Sequence, residues 1–172
     1  NLFSKYEVHG RFKINLQKRF DDNLTANLKH NLSRIPKNIM EGIVDEIFNK
    51  YFGNEQEFCK ELYVNFTELK EMIEGGMIVG SQSHTHPLLS ELSFDEQENE
   101  IKTSTEILEK NLKIKIKHFC YPYGDYNENT LAILENNEYS TGVTIKEGNN
   151  FNRKSKLLEL KRINCNDLPK RV

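Results

Sequence analysis

The sequence predicts an α/β fold, either a (β/α) barrel or an open parallel sheet. Three observations carry that expectation: amphipathic helical stretches alternate with short apolar strands from Asn65 onward, polar loops follow two of those strands directly, and 172 residues suit one domain or a piece of one. Strand, helix, strand in that order is the signature of parallel units joined by crossovers.

The elements follow in order. Arg11 to Phe20 alternates through Phe12, Ile14 and Leu16, as a half-buried strand or extended arm would. Pro36 starts a helix over Asn38–Phe52, with Ile39, Ile43, Val44, Ile47, Phe48 and Tyr51 on one face; Gly53 ends it, and Glu55–Leu62 makes a second. Asn65 and Glu68 have capping-box spacing for a helix through Glu74, stopped by Gly75-Gly76. Met77-Ile78-Val79-Gly80 reads as a buried strand delivering the chain into Ser81–Pro87. Ser93 and Glu96 start a further helix whose inward line is Phe94, Ile101, Leu108 and Leu112. Ile114–Tyr121 alternates as a strand, with Ile114, Ile116, His118 and Cys120 opposing Lys115, Lys117, Phe119 and Tyr121. Asn129–Asn136 is a helix, and strands are expected over Tyr139–Thr144 and Leu158–Ile163, separated by a polar loop over Lys146–Ser155. Residues 1–64 form a helical amino-terminal or inserted segment, and 65–172 the α/β region, together one domain.

Composition excludes several classes of function. With 24 basic and 26 acidic residues and a net charge of -2, the chain has no field to attract nucleic acid or an anionic membrane. No apolar stretch is long enough to span a bilayer, and Asn1–Gly10 lacks the apolar run of a secretory signal. Cys59, Cys120 and Cys165 are odd in number and far apart, so a disulfide framework and a CxxC zinc cluster are both disfavoured against buried thiols. Free cysteines and the lack of a visible signal lean toward the cytoplasm; the start at Asn1 reads as processed, trimmed or taken from a longer product, which would hide an export sequence.

In α/β barrels the reactive groups project from loops at the carboxyl ends of strands, and two loops here qualify: Ser81–Pro87 and Pro122–Asn127. His84 and His86 are one residue apart, so in an extended segment both imidazoles and Gln82 share a face and could share a divalent metal. A bare His-x-His more often caps a helix or bonds backbone carbonyls, and it is the position after a buried strand that favours function. A small metal-binding protein built on His84 and His86 is a separate reading.

The segment Gly80-Ser81-Gln82-Ser83-His84-Thr85-His86-Pro87-Leu88-Leu89-Ser90 resembles the second motif of the polysaccharide deacetylases, the NodB-homology superfamily of carbohydrate esterase family four. Phe119-Cys120-Tyr121-Pro122-Tyr123-Gly124 is similar to that family's third motif, and an amphipathic helix with Glu96-Gln97 near its start lies between them. The resemblance covers roughly the last hundred residues and implies a partial or distorted (β/α) barrel of the NodB type.

Its implied chemistry is metal-dependent hydrolysis of N-acetyl groups on hexosamine carbohydrate. The metal is zinc, with cobalt or nickel as substitutes, held by one Asp and two His. By the same resemblance His86 matches the second metal histidine, Gln82 stands where the first is expected, and His84 occupies a variable position from which it could compensate. The Tyr123 backbone N–H matches the oxyanion donor, Pro122 and Gly124 shape its turn, and Tyr126 and Asn127 line the sugar groove. A glutamine carbonyl is a poorer ligand for such ions, so a family member that binds carbohydrate without turnover is the alternative.

The family's first motif, which supplies the catalytic and metal-binding aspartates, has no convincing match. Phe20-Asp21-Asp22-Asn23 imitates its centre but follows Gln17-Lys18-Arg19, so a solvated turn or helix cap is the better reading. His118 is a structural histidine, and Leu160–Pro169 is either an ordinary strand with a polar end or the family's closing segment. If a strand lies upstream of Asn1, the sheet has an uncovered edge, exposed or paired with another chain.

Overall fold

The computed structural model describes residues 21–32, 35–150, 156–165 and 168. The strand expected over Arg11–Phe20 and part of the Leu160–Pro169 tail lie outside them. The chain divides into two compact units, Asn1–Tyr63 and Val64–Val172.

The described part of the first unit is helical. Helix α1 (Asn23–Leu32) begins where Asp22 Oδ1 accepts from the backbone N–H groups of Leu24 and Thr25, at 2.8 and 2.9 Å. Asp22 is therefore the helix cap that the polar flanks of Asp21-Asp22 suggested, and bonds from Thr25 hold its carboxyl below the usual range. Helix α2 (Lys37–Tyr51) starts after Pro36 and buries Ile43, and α3 (Glu55–Leu62) is capped by the Asn54 side chain. Phe48, Phe52 and Phe58 meet as three rings with centroids 5.2 Å apart, so the α2–α3 corner is held by aromatic packing.

The second unit is α/β. Helices α4 (Phe66–Glu74) and α5 (Phe94–Leu112) start with reciprocal capping boxes, Asn65 with Glu68 and Ser93 with Glu96, as their spacing requires. Strand β1 (His118–Cys120), helix α6 (Glu128–Asn136), strand β2 (Thr141–Glu147) and strand β3 (Leu160–Arg162) complete it. The sheet is parallel in the order β1-β2-β3, with His118 opposite Thr141 and Val143 opposite Leu160. Ser81 adds one parallel bridge on the outer side of β1, opposite Phe119.

The core under this sheet is Leu89, Ile101, Ile116, Phe119, Tyr121, Ile133, Leu134 and Tyr139. Buried polar groups tie its helices together: Gln97, fully buried on α5, donates to the Leu92 carbonyl and accepts from the Thr130 hydroxyl on α6. Burial raises the Tyr121 and Tyr139 phenols, and both hydroxyls find partners, Leu158 O and Thr105 Oγ1.

Three expectations are corrected. Met77–Gly80 forms no buried strand; Met77 and Ile78 are 57% and 78% exposed, and Ser81 alone pairs, because among the described residues no chain lies on the outer side of this segment to turn it into a ladder. The strand expected over Ile114–Tyr121 is only three residues long, and its inward side chains are Phe119 and Tyr121 rather than His118 and Cys120; the alternation slips after the buried Ile116. Phe94 is 39% exposed, and Gln97 fills the inward position near the start of α5.

Replacing Gln97 with Leu would leave the Leu92 carbonyl without its donor; unfolding in urea should show a loss of about 1–3 kcal/mol. Glu109 joins the end of α5 to the strand region, accepting from Lys115 Nζ at 2.9 Å and from the Ile116 N–H at 3.0 Å. The Lys115 bond, with the Ile116 N–H, lowers its carboxyl pKa despite partial burial. A depressed acid stabilises above its unfolded pKa and loses that contribution as pH falls through the folded one. The stability difference between the native chain and Glu109→Gln should therefore be present at neutral pH and vanish on acidification below the ordinary glutamate range.

Candidate functional site

Two loops leave the sheet at its carboxyl edge. The first, Gln82 to Ser90, follows the Ser81 bridge; the second, Pro122 to Asn127, follows β1. Ser81 N–H donates to the His118 carbonyl at 2.9 Å and the Cys120 N–H donates to the Ser81 carbonyl at 2.8 Å, so both loops depart from one hydrogen-bonded pair. Gly80 permits this approach: a Cβ there would stand 2.7 Å from the His118 oxygen.

The loops converge. The His86 and Tyr123 rings meet edge to face with centroids 4.6 Å apart. Asp125 reaches across to Ser90, its Oδ2 accepting from the Ser90 N–H at 2.7 Å and its Oδ1 from the Ser90 hydroxyl at 2.8 Å. Asn127 adds a long bond to the Ser90 carbonyl while its Oδ1 caps α6. Ser83, His86 and Tyr123 all hold positive φ, at 64°, 57° and 55°, a conformation uncommon for residues with a side chain and frequent where function fixes the backbone.

Glu100, about two turns into α5 and partly buried, supports the first loop. Its carboxylate accepts from the His84 and Thr85 N–H groups at 3.0 and 2.8 Å and from the Thr85 hydroxyl at 2.8 Å. Partial burial pushes its pKa up, but the Thr85 and His84 bonds outweigh that and hold it below the usual range.

Gln82, His84 and His86 are exposed on the first loop. His84 is fixed through its backbone by Glu100, and His86 through the Tyr123 ring and a bond from its N–H to Ser83 Oγ. Pro122 is buried, and Gly124, at φ 72°, lies so near Ile145 of β2 that a Cβ would overlap that side chain. The amides of Gly124 and Asp125 are bonded to Tyr121 and Pro122 carbonyls, whereas the Tyr123 N–H makes no hydrogen bond to a described residue. Tyr126 stacks on Tyr121 at 4.3 Å, with its hydroxyl between Glu159 and Lys146, so its polar end is already engaged within the protein. His118 shares a 2.7 Å hydrogen bond with the Thr141 hydroxyl, a structural contact.

Two features escaped the sequence. Glu100 and Asp125 carry the geometry of the first loop, yet one is a surface helix acid and the other a turn acid in sequence terms. A cavity of about 410 Å³ opens beside the second loop, lined by Ile145, Glu147, Arg162, Ile163, Asn164 and Cys165, and Arg162 Nη1 lies 3.9 Å from Cys120 Sγ. Among the described residues no three of His, Cys, Asp and Glu stand together as a metal-binding group. The donors present, two imidazoles and an amide, lack the carboxylate of a hydrolytic metal centre and do not make one by themselves.

Residues 47–142 match the polysaccharide deacetylase family. The chain belongs to that family. It is similar to the putative polysaccharide deacetylase YxkH of Bacillus subtilis, 28% identical over 129 residues that make up 75% of this chain and 44% of the relative. Among solved structures it is similar to the deacetylase PplD of Streptococcus pyogenes in complex with acetate, at 36% identity and a TM-score of 0.54 over 58% of this chain and 44% of that one. It is also similar to BC0361, a polysaccharide deacetylase from Bacillus cereus, at 26% identity and a TM-score of 0.51 over 58% of this chain and 32% of that one. The chain thus spans less than half the length of these relatives. The fold is the NodB type expected from the two motifs, a parallel α/β sheet with a helical amino-terminal region.

The fit of the second loop against β2 is testable. Gly124→Ala combines a positive φ with overlap on Ile145, and thermal unfolding should report a loss of about 1–3 kcal/mol. The same variant should weaken protection of the loop amides against hydrogen exchange.

Proposed function

We propose that this chain serves the hydrolytic removal of N-acetyl groups from hexosamine-containing polysaccharide, with residues 65–172 as the deacetylase region and 1–64 as a helical amino-terminal or inserted segment. The observation that carries this reading is the meeting of His86 with Tyr123, because it brings the loop after the Ser81 bridge and the loop after β1 to one spot. The His86 imidazole is then the metal-facing ligand and the Tyr123 N–H the oxyanion donor, and its making no hydrogen bond to a described residue supports its availability to a developing negative charge. Pro122 and Gly124 fix the direction of that N–H, and Tyr126 and Asn127 shape the neighbouring wall of the groove. PplD is seen with acetate, the small product such a cleavage would release.

A divalent metal, zinc or in its place cobalt or nickel, would polarise the amide carbonyl and make hydroxide available near neutral pH. The carboxylate ligand and the base this requires are not found beside His86 among the described residues, and Gln82 is a neutral donor where an imidazole would bind more strongly. Those two facts favour a second reading, a family member that binds carbohydrate without turnover.

Acetate release from N-acetylated glucosamine oligomers, followed with and without added zinc, cobalt or nickel, separates the two. The enzyme reading expects metal-stimulated release that His86→Ala abolishes and Gln82→His increases, by 10-fold or more on the scale typical of ligand changes. Oligomer binding without acetate release, in both the native chain and Gln82→His, would establish the binding protein. Neither release nor oligomer binding would end both readings.

A further inference from the structure

We propose that Asp125 is a positioning residue that locks the His86 loop to the Tyr123 turn and so sets the distance between the imidazole and the oxyanion-donating amide. The inference rests on the reading of those two loops as one site and adds to it the residue that holds them together.

The geometry is specific. Asp125 leaves the Pro122–Gly124 turn in extended conformation, its N–H bonded to the Pro122 carbonyl, so its backbone is fixed to the element that carries Tyr123. Its two carboxylate oxygens each accept one bond from a single residue of the other loop, Ser90 N–H and Ser90 Oγ–H. Paired acceptors define an orientation as well as a distance, which one bond cannot do, and bonds to an ionised acceptor are about twice as strong as neutral ones. Ser90 follows Leu89, a fully buried core residue, so the clasp grips the first loop at its anchored end. Between that end and Ser81 the chain carries positive φ at Ser83 and His86 and bonds to Glu100, and no regular ladder holds it. Without Asp125 the side-chain tie from the second loop to Ser90 reduces to the 3.5 Å bond from Asn127. Asp125 holds Ser90 through both carboxylate oxygens and acts through it.

Asp125→Asn keeps size and one acceptor but turns the other oxygen into an NH2 facing a donor. The test uses the full chain labelled at histidine, with the side-chain NMR signals of His86 read against those of His84 and His118. Tyr123→Leu supplies the reference for His86 without the neighbouring ring. Asp125→Asn should move the His86 signals toward that reference while those of His118, bonded to Thr141 on β2, stay in place.

Ser90→Ala, which removes one of the two bonds from the opposite side, should give a smaller movement in the same direction, and decides the matter if Asp125→Asn does not fold. His86 signals unchanged in a folded Asp125→Asn, or in Ser90→Ala, overturn the proposal, as does a movement shared equally by His118. A native chain that releases no acetate from N-acetylated oligomers would count against the deacetylase reading while leaving the NMR comparison able to decide the role of Asp125.

Discussion

The two-pronged bond between Asp125 and Ser90 is the constraint on which the rest of the site depends. Parallel strands place their carboxyl ends side by side at a spacing near 5 Å, but the loops that follow are free to diverge, and nothing in a sheet obliges them to meet. Here a turn acid on one loop takes both donors of one serine on the other. The His86 and Tyr123 rings then come to lie edge to face, and the Tyr123 N–H makes no hydrogen bond to a described residue. The clasp explains how a short sheet can hold two loops together.

Support below the site follows from ordinary packing. Helix α5 lies against the sheet through Ile101 and Leu112, and from the same helix Glu100 collects the backbone of His84 and Thr85. Gln97 connects α5 to α6 through Thr130, and Asn127 caps α6 while reaching Ser90. One continuous set of polar contacts therefore runs from the helix layer into both loops, and each buried member has a partner.

Much of this was legible in the residues. Capping signals at Asn65 and Ser93 sit where helices begin because a short polar side chain before an apolar stripe has few other uses. The two loops stood out because polar residues after apolar runs are unusual packing material, and their joint spacing matched a known family. What stayed hidden depended on partners far away in the chain. Met77 and Ile78 have the composition of a buried strand, but burial requires a neighbour that composition cannot supply. The slip of alternation after Ile116 follows from the short β1 and its register with β2. Glu100 and Asp125 are chemically unremarkable acids until the fold brings a bare amide to each.

The three left-handed residues at Ser83, His86 and Tyr123 carry a further consequence. At each of them glycine would sit with less steric conflict, so the polypeptide here holds side chains against its own backbone preference. Relaxing that conflict would remove the hydroxyl that receives the His86 amide, the imidazole or the ring it leans on. Backbone ease and side-chain contact therefore pull in opposite directions at these positions, and a variant selected only for ruggedness would drift toward a quieter surface stripped of its projecting groups.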